Sequence, residues 1–130
     1  MINLIYRDGA PENTGHYEIV ETDANLKLGE AVALNEGKAV LASEAAEVYG
    51  IVCAPNKDEA GKGTNVAVVL KVAPGMIFKA PFKAPVSGSI KDLKKGASVI
   101  IVNGGGTVTA KLVDMLDAVA EGDMIEVCFE

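Results

Sequence analysis

Apolar positions along this chain recur mainly every second residue, which is the period of a β-strand. The clearest examples are residues 66–70 and 125–129, and shorter apolar stretches over 17–21 and 49–54 read in the same way. Glycine- and asparagine-containing turns separate these stretches. The pattern predicts a mainly β fold, a small barrel or sandwich, with at most one or two short helices.

Two parts of the chain resemble each other. Residues 26–34 are similar to residues 93–101, and each copy continues through a glycine-containing turn into a second strand. Each copy also ends with a glycine and a polar residue before an alternating strand. We therefore expect a β module present twice, over residues 26–72 and 93–129, with its strands in the same order.

Residues 111–121 fit two interpretations. Leu112, Met115, Leu116 and Val119 recur at helical spacing, with acidic residues on the opposite face. The duplication instead predicts a strand followed by a loop in this segment. Both alternatives stay open from the sequence alone.

The length and composition favour one domain. The 130 residues are 49% hydrophobic and 23% charged, which is typical of a globular chain. Tryptophan is absent and aromatic residues make up only 5%, so aliphatic side chains must fill most of the interior. We expect residues 17–130 to form a single β-rich domain, and residues 1–16 to be either an N-terminal arm or its first strand.

The net charge of −6 opposes nucleic-acid binding, because an acidic surface repels phosphates. The first residues lack the basic and long apolar regions of a signal peptide, and no apolar run is long enough to span a bilayer. The sequence thus predicts a protein made in the cytoplasm that binds neither nucleic acid nor membrane.

No residue pattern typical of catalysis, metal binding or cofactor binding stands out. Residues 60–64 resemble a phosphate loop, but Gly63 separates Lys62 from Thr64. His16 is the single histidine and lacks clustered ligand partners. We therefore expect no catalytic, metal or cofactor-binding residues, and a protein that is not an enzyme.

Cys53 and Cys128 both lie in apolar, strand-like stretches. Without an export signal we expect them to act as small apolar side chains rather than to form a disulfide. Alternation places Cys128 on the face opposite Ile125 and Val127, which predicts partial exposure.

A tandem Phe-Lys-Ala-Pro unit fills residues 78–85. Its prolines remove backbone donors, which predicts an edge strand or an extended surface segment. Phe78 and Phe82 then lie on one side, either covering the core or forming an aromatic contact strip with Lys79 and Lys83 on its rim.

Residues 84–90 resemble part of the biotinyl and lipoyl carrier domains, which are also small duplicated β structures. Those carriers present the modified lysine at a hairpin tip, and Lys111, between Ala110 and Leu112, is a poor match for it. A carrier, or another small β domain of an enzyme complex, is the alternative function.

Over most of residues 26–129 the chain resembles the small capsid decoration (cement) proteins of tailed bacteriophages. Residues 1–15 and the tandem unit lie outside that resemblance. The segments that carry it are rich in glycine and small apolar residues: 28–34, 37–42, 49–52, 63–68 and 122–127.

The resemblance implies a non-enzymatic virion protein that binds the outside of an icosahedral shell and stabilises it by bridging capsid subunits. Its partners would be the major capsid protein and copies of itself, most often as a trimer. The N-terminal segment is suited to contact a neighbour by strand addition, through an apolar start and a turn-rich end. The candidate contact residues in that segment are Ile2, Leu4, Ile5, Tyr6 and Arg7.

Overall fold

The computed structural model describes residues 1–7, 17–44, 46–58, 60–118 and 120–129, without the side chains of Tyr6 and Arg7. The fold is mainly β, as predicted, and its strands form two antiparallel sheets. In chain order they are β1 (Asn3–Arg7), β2 (Tyr17–Glu21), β3 (Ala31–Asn35), β4 (Lys38–Leu41), β5 (Gly50–Ala54), β6 (Val66–Lys71), β7 (Met76–Pro85), β8 (Ser98–Asn103), β9 (Gly106–Asp114) and β10 (Met124–Cys128). A 3-10 turn covers Ile90–Asp92.

Sheet I has the order β1-β7-β10-β9-β8, and β8 pairs back with β7. The last four strands therefore form a closed ring, with β1 lying beside the first half of β7. The long β7 makes this possible, because its first half pairs with β1 and its second half with β8. The side chains that face the inside of the ring have no exposed area and form its core: Phe78, Ala80, Phe82, Val99, Ile101, Val108, Ile125 and Val127.

The prediction that prolines confine residues 78–85 to an edge strand is wrong, because β7 has neighbours on both sides. Pro81 lies between the last pair with β1, at Lys79, and the first pair with β8, at Phe82. The backbone N–H that Pro81 lacks is therefore missing at the position where β8 replaces β1 as the strand beside β7. Pro85 is the final residue of β7. Strand ends and interruptions are the positions where a sheet accepts proline.

Sheet II has the order β2-β6-β5-β3-β4 and curls until the end of β2 reaches β4. The Thr22 hydroxyl donates to the Ala39 carbonyl at 2.7 Å across this closure. The concave face encloses a small apolar cluster that includes Val32, Val52 and Val69. The convex face contributes its own apolar residues to the core of sheet I: Ala31, Ala33, Ile51 and Leu70.

The two predicted modules share a hairpin and then diverge. The hairpins β3–β4 and β8–β9 correspond, and Glu36 and Gly37 both adopt positive φ in the first turn. In sheet II, β5 then lies between β3 and β6, whereas β10 pairs directly with β9 in sheet I. The expected common strand order is therefore wrong beyond the hairpin, since similar local patterns pair with different neighbours.

Each of the two segments that the sequence left open contains a strand. Residues 3–7 form β1, the first strand of sheet I, and the Ile2 N–H donates to the Gly29 carbonyl at 3.0 Å. Residues 8–16 of the predicted arm, with His16, lie outside the described residues. In residues 111–121 the strand alternative holds as far as Asp114, after which the chain turns with Leu116 at φ 53°.

Candidate functional site

Three of the predicted contact residues lie in the core. Phe78 and Phe82 have no exposed area, and Ile2 is almost fully buried. A surface role for these side chains is therefore wrong, and the alternative that the phenylalanines complete the core is the one observed. The Phe78 and Phe129 rings pack edge to face, with ring centroids 5.4 Å apart.

The remaining candidates differ in exposure and in their contacts. Leu4 is half-buried against the core, and Ile5 is 46% exposed. Lys79 is exposed, while Lys83 forms a 2.6 Å ion pair with Glu121. The side chains of Tyr6 and Arg7 lie outside the described residues.

A contiguous exposed apolar surface lies instead on the convex face of sheet II. Ile19 pairs with Val68 across β2 and β6, and residues opposite each other in such a ladder share a face. Tyr17 and Ile19 are 57% and 75% exposed, Val66 is 39% exposed and Val68 is half-buried. We call these four residues the apolar strip.

The apolar strip continues a covered surface. Leu70 and Ile51 occupy the same convex face and are buried against sheet I. Beyond them, sheet I no longer covers the face, and the strip is left exposed on β2 and β6. Glu21, opposite Val66, gives the strip an acidic border. The alternation of side chains along β2 predicts a face that carries Tyr17 and Ile19, but it does not determine whether that face is buried or exposed.

A second surface feature is an open cleft of about 1030 Å³ between the two sheets. Leu34 and Lys71 line it from sheet II, and Thr109 and Lys111 line it from sheet I. Tyr49 stands on its wall and donates a hydrogen bond to the Glu18 carboxylate. That bond, with burial and the negative charge of Glu18, raises the pKa of Tyr49.

The residues considered for a phosphate site and for a carrier lysine lie in a loop and within a strand, respectively. In the loop resembling a phosphate site, the Asp58 carboxylate accepts the backbone N–H groups of Ala60 and Lys62, both at 2.9 Å. Lys111 pairs with Ser98 in the interior of β9 rather than at a hairpin tip. No group of three or more potential metal-binding side chains occurs within the described ranges.

The two cysteines are not joined by a disulfide, and both are half-buried. Burial raises the pKa of the Cys53 thiol, which makes the reactive thiolate scarcer near neutral pH. The partial exposure of Cys128 agrees with the prediction from alternation.

This is an all-antiparallel, two-sheet β protein whose most distinctive surfaces are the apolar strip and the inter-sheet cleft. No protein family, curated protein or solved structure matches the chain. No helix in the described part of the chain is long and apolar enough to cross a membrane.

Proposed function

We propose that this protein is a capsid decoration protein, a structural virion component that binds the outer surface of an icosahedral phage shell. It stabilises the shell by bridging subunits of the major capsid protein, and it acts without enzymatic chemistry. The observation that carries the proposal is the apolar strip, because contiguous exposed apolar surface is characteristic of protein–protein contact sites.

The energetics of the apolar strip suit such a contact. Removing an Ile or Tyr side chain from water stabilises a complex by about 1.5–3 kcal/mol when burial is complete. Ile19 and Tyr17 are more than half exposed in the chain itself, so most of that gain is available to a partner. A trimer engaging three capsid subunits would multiply the effect through linked binding.

Charge and rigidity support the same role. The acidic border at Glu21 and the net charge of −6 favour a partner surface that is basic around an apolar centre. Both sheets share one buried core, so the protein can transmit load between neighbouring capsid subunits without deforming. The segments that resemble decoration proteins include β3, β4 and β6, and β6 carries half of the strip.

The test is co-sedimentation with empty shells assembled from the major capsid protein of the phage proposed to encode this chain. Ile19→Asp should lower the affinity at least tenfold, because it places a charge at the centre of the apolar contact. Its thermal melting should change little, since the side chain is mostly exposed.

Val86→Asp is the matched control, because Val86 is 52% exposed and lies beyond β7, away from the strip. We expect this variant to bind shells as the unmodified protein does. If Ile19→Asp bound shells as tightly as Val86→Asp, the apolar strip would not be part of the interface. No binding by the unmodified protein would reject the decoration role, and an intact mass carrying biotin or lipoate would favour a carrier.

A further inference from the structure

The inter-sheet cleft holds two lysines whose charges are not neutralised by a contacting carboxylate. Lys71 stands on the wall formed by sheet II and Lys111 on the wall formed by sheet I. The ion pairs found among the described residues are Lys38–Asp23 and Lys83–Glu121, and neither involves the cleft. Two such cations facing one cavity are notable in a chain of net charge −6.

Each lysine is held by a neutral group. The Lys71 ammonium lies 5.7 Å from the centre of the Tyr49 ring, within cation–π range. The Glu18 carboxylate is engaged by the Tyr49 hydroxyl. The Lys111 ammonium donates to the Ser98 hydroxyl at 3.0 Å. These contacts orient both side chains while leaving their positive charges available to a ligand.

The rest of the cleft is largely apolar. Its lining includes Val48, Val72 and Phe129, while Glu47 is the one described acidic residue that lines it. An apolar lining with two cations fits a ligand that combines carboxylates with apolar groups. The volume, about 1030 Å³, lies at the upper limit of sites for small ligands, about 300–1,000 Å³, and this favours a longer occupant.

We propose that the cleft binds an extended peptide segment of a partner protein in which acidic and apolar residues alternate. Its carboxylates pair with Lys71 and Lys111, and its apolar side chains cover the apolar lining. Ser98 and Thr109 also line the cleft, and their hydroxyls would hydrogen-bond the peptide backbone. This site is separate from the apolar strip, and the inference does not depend on the proposed capsid role.

The test uses the full ¹⁵N-labelled chain and the capped pentapeptide Glu-Leu-Glu-Leu-Glu at an ionic strength of about 0.15 M, where charges more than about 8 Å apart are largely screened. We expect amide shifts centred on residues 71–73 and 109–111, and little response to the capped peptide Lys-Leu-Lys-Leu-Lys. The double variant Lys71→Glu/Lys111→Glu should weaken binding of the acidic peptide at least tenfold, since it replaces attraction by repulsion.

The control variant Lys91→Glu/Lys94→Glu makes the same change in net charge at two exposed positions that do not line the cleft. It should lower the affinity for the acidic peptide by no more than about twofold, because salt screens the interaction between the peptide and charges that it does not contact. Shifts centred elsewhere, or equal losses in both double variants, would overturn the proposal. Decanoate binding the cleft as tightly as the peptide would also overturn it, in favour of a small amphiphilic carboxylate. Shell binding does not enter this experiment, so either proposal can fail alone.

Discussion

Two buried asparagines connect backbone segments that no strand ladder joins. The Asn103 side chain accepts the Ala31 N–H at 2.7 Å and donates to the carbonyls of Ala31 and Ala42 at 2.9 and 3.0 Å. It thereby ties the β8–β9 hairpin of sheet I to sheet II. Asn56 likewise joins the segment after β5 to the segment between β2 and β3, accepting the Leu26 N–H and donating to the Ala24 carbonyl. A side-chain amide suits this role because it can accept and donate at once.

Asn103→Ala should lower the free energy of unfolding by roughly 2–4 kcal/mol, because each buried polar group left unpaired costs about 1–3 kcal/mol. Asn35→Ala is the matched control, since Asn35 occupies the corresponding hairpin position but is exposed. We expect that control to change stability by less than about 0.5 kcal/mol. Urea denaturation of the three proteins measures both effects, and similar losses in the two variants would contradict the bridging role of Asn103.

The hydrogen bond from Tyr49 to Glu18 predicts a pH dependence of stability. The bond raises the folded-state pKa of Tyr49 above its unfolded value of about 10. Its stabilising contribution is therefore fully present below pH 10 and is lost as pH rises through the folded-state pKa. Tyr49→Phe should be less stable than the unmodified protein by a constant amount at pH 7–9, and this difference should shrink above pH 10. A difference that persists at pH 12 would mean that packing, not the hydroxyl proton, is responsible.

At the scale of the element, β1 shows how the N-terminal residues are held by the domain. Its ladder with β7 holds it in sheet I. The hydrogen bond from the Ile2 N–H to the Gly29 carbonyl ties it to the segment that precedes β3 of sheet II. The Ile2 side chain packs in the core that both sheets share. An apolar start to the chain suits a free arm or a first strand equally well, and the buried position beside β7 favours the strand.

Ile2→Ala should destabilise the protein by about 2–5 kcal/mol, the range for removing a buried isoleucine side chain. Ile5→Ala is the matched control within the same strand, because Ile5 is largely exposed, and it should cost less than about 1 kcal/mol. Thermal melts of both variants give the comparison. If Ile2→Ala melted like the control, residues 1–7 would act as an appended arm.

At the scale of the whole molecule, the shared core makes the two sheets one folding unit. Ala31, Ile51 and Leu70 from the convex face of sheet II pack in the same cluster as Phe78 and Ile125 from sheet I. Separating the sheets would expose these side chains to water, so neither sheet is expected to unfold first.

Amide signals of Val69 in sheet II and Val108 in sheet I should therefore disappear at the same urea concentration. Val52→Ala, in the separate cluster of sheet II, should lower both midpoints equally, by a loss of roughly 2 kcal/mol. The check is a urea titration followed by two-dimensional NMR. Two distinct midpoints would show that the sheets unfold independently.

Several features of the surface sites depended on tertiary context. From the sequence, Phe78 and Phe82 could either cover the core or form a contact strip, on a segment that the prolines were expected to expose. The closed ring of sheet I instead covers both phenylalanines. Ile19 looked like any strand residue, yet it is the most exposed large apolar side chain of those described. The cleft joins Lys71 and Lys111 from different sheets, and their separation in sequence gave no signal of this.

The sequence by itself determined the mainly β class, the two matching hairpins and the partial exposure of Cys128, because period-two alternation and turn residues are local properties. Only the tertiary structure decided which sheet each strand joins, which face of β2 meets solvent and how β7 accommodates its prolines. Alternation assigns side chains to two faces, but burial of either face depends on what packs against it. Those neighbours come from distant parts of the chain, so packing between the sheets decided where the exposed apolar strip and the cleft lie.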